Sequence, residues 1–404
     1  MQSVVLNAPC VFRLHDELDF LSFHQVIDAV IMNDVRLSRV IDGMRFPLIY
    51  LVVVAHLIPF TLQEVTLPDT SNKLYTLISE LFSHHIAKIS VRCLFFVSGY
   101  FFFQKYADNL FQFAASQWKS RFYILLIPFL AWNVITLLVI ALKNILFEYV
   151  GLTKDVEYLH VANSSIGQLF WSNPINFPLW YIRDLMCMIG LFPLLFYFVK
   201  LSKQYGVLLL AVLYLMNLES DIPGLSTTAI FFFSAGAYFS IHKKDLLHVL
   251  ESVKVIALLL AIAFLVLAVL ANGQPEHEYF VRVFLIAGVV SYINLFAYLE
   301  KRNKLPKSLF GLSTLTFFIY VVHEIYIINF LKGFFYDLEM YENGWVKIIC
   351  YVIIPLLCIG ICTAIYYLFQ KIIPRIVAIT LGRKPVKPIC IPPKREKKLT
   401  TSVA

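Results

Sequence analysis

Long apolar runs separated by short charged connections dominate this chain. Stretches near 46–64, 76–103, 122–147, 179–199, 206–218, 225–241, 253–271, 280–299, 310–331 and 346–370 are rich in Leu, Ile, Val and Phe. Most reach the roughly 20 residues that a helix needs to cross a bilayer. The run from Gly206 to Leu218 is shorter and must draw on its flanks. No segment alternates with period two for long, which argues against a β-barrel. The pattern predicts an all-α, polytopic membrane helix bundle with about ten transmembrane helices.

Lysine and arginine orient such a bundle, because basic connections stay on the cytoplasmic side. The tail beyond Lys371 holds Arg375, Arg383, Lys384, Lys387, Lys394, Arg395, Lys397 and Lys398. Walking back, alternate connections carry Lys105, Lys119 and Arg121; Lys200 and Lys203; Lys243, Lys244 and Lys254; and Lys301, Arg302, Lys304 and Lys307. The intervening connections hold little beyond Lys73, Lys154 and Lys332. Both termini are therefore expected to be cytoplasmic. The net charge of +8 then reads as a topology signal and as attraction to anionic membrane lipid, with no nucleic acid as partner. Composition agrees: 15% of the 404 residues are charged and 59% are hydrophobic, where a soluble domain carries about 25% charged residues.

The expected organisation is an N-terminal extension over 1–38, a transmembrane domain over 39–372 and a basic cytoplasmic tail over 373–404. The extension lacks the order of a signal peptide. Leu14, Leu18 and Leu21 fit one face of a short surface helix, and a translation start at Met32 is the alternative. The cysteines form no C-x-x-C pair, and neither a disulfide framework nor a metal site is expected. The loop 148–178 ends in an aromatic, turn-rich stretch from Trp171 to Trp180 that suits either an interfacial belt or an acceptor surface; Asn163-Ser-Ser165 is a glycosylation triplet.

Ionisable residues inside apolar helices are costly and mark candidate sites. Arg45 opens the first apolar run and His56 lies about 16 Å further along a helix axis, near the bilayer middle. Arg92 falls at similar depth on the returning helix, where it could stabilise a developing oxyanion. His84 and His85 sit nearer the outer end of that helix and read as interfacial. Arg183 and Asp184, Arg282, and His323 with Glu324 place polar groups in the outer half of the bundle, as a cavity open to the outside would require. As consecutive helix residues, Arg183 and Asp184 are expected to face different sides and not to pair. Ser98-Gly99 and Ser234-Ala-Gly236 read as close helix packing.

Several of these residues fall in stretches that resemble the acyltransferase-3 family of integral-membrane acyltransferases of surface glycans. The Arg45-to-His56 spacing is similar to that family's first-helix signature, and Cys93-Leu-Phe-Phe-Val-Ser-Gly-Tyr100 to its second-helix motif. Leu126-Ile-Pro-Phe-Leu-Ala-Trp132, Pro178-Leu-Trp-Tyr-Ile-Arg-Asp184, Phe232-Phe-Ser-Ala-Gly236 and Thr316-Phe-Phe-Ile-Tyr-Val-Val-His323 continue the series in order. One departure stands out: Ile124 occupies the place of an arginine that many members carry before the third-helix Ile-Pro. That either removes the motif's donor-binding role or leaves it to Lys119 and Arg121.

The resemblance implies a multi-pass protein of the cell membrane, in bacteria the inner membrane. It would move an acyl group, usually acetyl, from cytoplasmic acyl-CoA to a hydroxyl of an exported or lipid-linked glycan, with no bound cofactor. Arg45, Lys119 and Arg121 would bind the donor phosphates, as basic residues at the inner face can. His56 would act as general base or as an acyl-carrying nucleophile, with Arg92 at the oxyanion. Arg183, Asp184, Arg282, His323 and Glu324 are the acceptor-side candidates. A glycan or lipid transporter is the rival reading, since it too would carry intramembrane charges.

Overall fold

The computed structural model describes residues 35–57, 70–104, 106, 110–151, 164–218 and 220–383. The N-terminal extension as far as residue 34, the glycosylation triplet's Asn163 and the basic tail from Lys384 lie outside the described residues. Among the described residues all regular structure is helical. Six helices are long and apolar enough to cross a membrane: α2 (Ser71–Gln104), α3 (Gln112–Tyr149), α5 (Phe192–Leu215), α9 (His277–Lys301), α10 (Lys307–Tyr336) and α11 (Gly344–Ile372). A bent pair, α7 (Leu246–Ser252) and α8 (Lys254–Leu270), meets at 63° and makes a seventh if counted as one span.

The remaining helices explain where the apolar runs divide. α1 covers 35–55 and carries Arg36, Arg39, Asp42 and Arg45 in its first half. It turns at His56, and residues 58–64 of the expected run lie outside the described residues. α4 (Trp180–Gly190) ends at Leu191, before Pro193 in the first turn of α5. Within α5, Lys203 leaves helical geometry at φ 53°, ψ −135°, so the expected boundary between the fourth and fifth runs is a backbone break inside one long helix. Val199, before that break, accepts from His242 at the end of α6 (Thr227–Ile241), and Leu218 accepts from Thr227 at its start. The chain after Lys203 therefore runs antiparallel to α6.

The tightest crossing joins α2 and α6. A Cβ on Gly99 would stand 2.0 Å from the carbonyl oxygen of Phe233, and one on Gly236 would stand 1.9 Å from that of Phe96. Only hydrogen fits at either point, as the small-residue reading of both motifs expects. Phe102, Phe103, Phe192, Phe196 and Phe233, all buried, close the core beside this crossing. At the same end, Arg36 ties α1 to α7 and α9 through Glu251 at 2.6 Å and Glu300 at 3.2 Å.

The start of the expected tail belongs to the bundle. α12 (Pro374–Thr380) packs on α3, where Trp132 donates to the Thr380 carbonyl at 2.9 Å, and Arg383 donates to the Thr314 carbonyl at 2.8 Å.

Because a side chain at Gly236 must push two backbones apart, Gly236→Ala is expected to cost about 1–3 kcal/mol, the usual range for overpacking. A thermal unfolding series in detergent reads this as a lowered Tm; an unchanged Tm would contradict the crossing.

Candidate active site

A helix that ends inside hydrocarbon leaves carbonyls that must find donors. α1 ends this way, and three side chains from other helices meet it. Ser83 on α2 donates to the Val54 carbonyl at 2.6 Å, Lys332 on α10 to the His56 carbonyl at 3.0 Å, and Tyr336 on α10 to the Leu57 carbonyl at 2.9 Å. The backbone tightens at the same place, with N–H groups of His56 and Leu57 reaching back three residues to Val53 and Val54. The imidazole of His56 is thus mounted on a pinned helix end.

α10 supplies what the imidazole faces. The helix breaks just after Glu324, where Ile325 (ψ 79°) and Tyr326 (φ 62°) leave helical geometry. The Lys143 ammonium lies 4.1 Å from the Tyr326 ring and covers the strained residue. His323 and Glu324, on the turn before this break, both reach His56. Glu324 Oε2 stands 2.9 Å from His56 Nδ1, and the two imidazole rings are 5.1 Å apart at 63°.

Hydrogen bonding sets the proton positions. His323 Nδ1 faces the Ile319 carbonyl at 3.0 Å, so it must carry the hydrogen. His323 Nε2 is left as a lone pair, fully buried and with no partner among the described residues. His56 Nδ1 lies 2.9 Å from Glu324 Oε2, an ion-pair distance at which Oε2 is not aligned for a hydrogen bond with the ring. An acid beside one ring nitrogen of a histidine is an element of a general-base pair. The side chains of His56 and Glu324 keep 15% and 17% of their surface accessible, so the pair is not sealed.

The wall opposite comes from the segment before α4. Phe177 packs edge-on against His56 at 5.9 Å. It is held by its neighbours: Asn176 donates to the Val321 carbonyl at 2.9 Å, and the Tyr320 hydroxyl donates to the Pro178 carbonyl. A cavity of about 100 Å³ opens here, lined by Thr136, Asn176, Phe177, Glu324, Tyr326 and Asn329.

A second cavity, about 600 Å³, lies toward the Arg36 end, between α1, α2, α3 and α4. Arg45, Leu48, Ser98, Gln117 and Arg121 are among its lining residues. Arg121 Nε is buried there without a partner among the described residues, while Arg45 pairs with Asp42 at 2.9 Å. Lys119 is exposed and does not line the cavity. Leu48 stands about 12 Å along α1 from His56.

The other expected site residues fall elsewhere. Arg92 donates to the Lys88 carbonyl on its own helix at 3.3 Å, and its Nε is buried without a partner among the described residues. Arg183 and Asp184 do pair, contrary to expectation: Nε and one terminal nitrogen of Arg183 donate to Asp184 Oδ1 at 3.0 and 2.8 Å. The long arginine folds back over its neighbour because its remaining terminal nitrogen is anchored on the Trp171 and Ser172 carbonyls. Arg282 donates to the Tyr214 carbonyl at 2.9 Å and to the Asn217 side chain, with its guanidinium over the Tyr214 ring. It caps the end of α5. Ser83, Lys332, Tyr336 and Phe177 escaped the sequence reading; Lys332 looks there like a flanking charge, and nothing local marks the others.

His56, His323 and Glu324 are also a donor set that zinc accepts. One ligand atom from each lies within 4.8 Å of the others, whereas bonds of 2.0–2.1 Å hold tetrahedral donors roughly 3.4 Å apart. The groups would have to close in to hold an ion.

Comparison with known proteins supplies the family. The profile of the acyltransferase-3 family, described as an acyltransferase domain, matches residues 39–367. The chain belongs to this family and is a multi-pass membrane acyltransferase. It is similar to the succinoglycan biosynthesis protein ExoH of Rhizobium meliloti (strain 1021), with 26% identity over 371 residues that span 87% of this chain and 94% of that one. No solved structure matches it.

Since Arg282 gives a charged hydrogen bond to the buried Tyr214 carbonyl at the end of α5, Arg282→Met should act on stability. The expected loss is about 1–3 kcal/mol. Thermal unfolding reads it; a fully stable variant with impaired catalysis would return Arg282 to the reaction.

Proposed function

We propose that this protein moves an acyl group, acetyl being the smallest candidate, from acyl-CoA to a hydroxyl of an exported or lipid-linked glycan. The observation that carries the reading is the 2.9 Å approach of Glu324 to His56 Nδ1. Family membership supports the chemistry, and the part that ExoH plays in succinoglycan biosynthesis supports a polysaccharide acceptor. The alternation of basic connections supports about ten crossings with both termini in the cytoplasm, in a bacterial inner membrane.

In this reading Glu324 holds His56 as the Nδ1–H tautomer. His56 Nε2 removes the proton of the acceptor hydroxyl as its oxygen attacks the thioester carbonyl. A C–O bond forms, the C–S bond breaks, and the thiolate leaves with the proton that His56 has taken. His323, with Nδ1–H held by the Ile319 carbonyl, backs the His56 ring from the buried side. The cavity at Arg45 and Arg121 suits the phosphates of the donor, whose charges an arginine binds through paired N–H groups. Lys119 adds charge near that mouth from the exposed side. Arg92, first expected at the oxyanion, stands nine residues along α2 from Ser83, which meets Val54 beside His56; that is about 13 Å of helix, so Arg92 has no part in this step.

The test uses purified protein in nanodiscs with acetyl-CoA and lipid-linked glycan from cells that lack the protein. His56→Ala and Glu324→Gln should each lower acyl transfer by roughly 10²–10⁴-fold, the range for loss of a general base. Full activity in a normally inserted His56→Ala protein would refute the assignment.

A further inference from the structure

Residues 172–177 join the Glu324 cavity to a third hollow. Ile175, Asn176 and Phe177 line the first, where Phe177 meets His56. Ser172 and Asn173 line the other, an open hollow of about 600 Å³ shared with Arg183, Asp184, Asp221 and Ser226. Five residues of extended chain cover at most about 17 Å, a span of a few linked sugar rings.

One buried atom of a residue behind this lining lacks a hydrogen-bond partner among the described residues. Asp184 is only 1% exposed, and its Oδ1 accepts both bonds from Arg183. Its Oδ2 is buried with no partner among the described residues. A carboxylate oxygen accepts and cannot donate, so it calls for a donor from outside the chain. Four of the five guanidinium N–H groups of Arg183 are already engaged, by Asp184, Trp171 and Ser172. Two carboxylates, Asp184 and Asp221, against that one guanidinium give the described lining one net negative charge. Such a lining repels phosphate or uronate and accepts neutral hydroxyls. Asn173 and the serines offer both donors and acceptors. Trp171, 41% exposed, adds an aromatic face beside Gly224 at the edge.

We infer that this hollow is a subsite for a neutral sugar unit of the acceptor, a few linkages away from the hydroxyl that is acylated. The proposal rests on the acyl-transfer reading above. Asp184 Oδ2 accepts a hydrogen bond from a hydroxyl of that unit, and the chain of the acceptor follows Asn173 to Phe177 toward His56. The protein then favours an oligosaccharide over a free monosaccharide.

The experiment compares the full-length protein with Asp184→Asn and Asn173→Ala in nanodiscs. Acetyl-CoA is the donor, and the acceptors are the released repeat oligosaccharide and its acylated monosaccharide unit. The wild-type protein should prefer the oligosaccharide at least tenfold in kcat/KM, and each variant should raise the oligosaccharide KM at least tenfold. Asn173 sits on the exposed rim, so its variant keeps the test open should Asp184→Asn fail to fold. Equal use of both acceptors, or an Asn173→Ala protein with the wild-type KM, overturns the subsite. Stronger competition by tetragalacturonate than by cellotetraose overturns its neutrality. A failure of the underlying reading looks different, because the wild-type protein itself would then transfer no acyl group to either acceptor.

Discussion

The end of α1 is the constraint on which the rest turns. Its last carbonyls lie where solvent cannot meet them, so the bundle must supply donors, and it does so from Ser83, Lys332 and Tyr336. Two of these are on α10, the helix that also carries His323 and Glu324. One contact between helices therefore does two jobs: it satisfies the backbone of α1 and brings a carboxylate to 2.9 Å from its histidine. The break at Ile325 and Tyr326 separates Glu324 from Lys332 and Tyr336, so the two halves of α10 meet the end of α1 independently.

Around that point the molecule divides into two approaches. Toward the Arg36 end, a cavity of about 600 Å³ with Arg45 and Arg121 on its walls leads up to Leu48 and Ser98. Toward the other end, the pinned segment at Asn176 and Phe177 borders the Glu324 cavity. The tight glycine crossing of α2 and α6 lies away from the pair and serves the scaffold, not the chemistry. This separation of a stiff aromatic core from a polar, broken helix fits the proposed transfer, in which the two substrates approach from opposite ends.

Much of this was legible in the chain. Apolar length located most of the helices, since bilayer thickness sets it. His56, His323 and Glu324 were visible as polar residues in apolar surroundings, and their cost in hydrocarbon made them candidates. What could not be read was who meets whom. The break at Ile325 and Tyr326 has no Pro or Gly to mark it, so the joint approach of the two halves of α10 to the end of α1 was hidden. The pairing of Arg183 with Asp184 was misjudged because helix spacing describes Cβ positions, whereas a long arginine anchored on the Trp171 and Ser172 carbonyls can fold back on its neighbour. Arg282 looked functional for its depth alone and proved to be a cap on α5. Lys332 looked like a loop charge, because its partner is a backbone carbonyl that no sequence pattern shows.

The central claim is that Glu324 fixes the proton of His56. ¹⁵N NMR of the histidine-labelled protein measures this directly, since protonated and lone-pair imidazole nitrogens resonate far apart. The account predicts that His56 in the wild-type protein is a single Nδ1–H tautomer with a free Nε2, and that Glu324→Gln converts it to a mixture of tautomers. An identical His56 spectrum in the two proteins would contradict it.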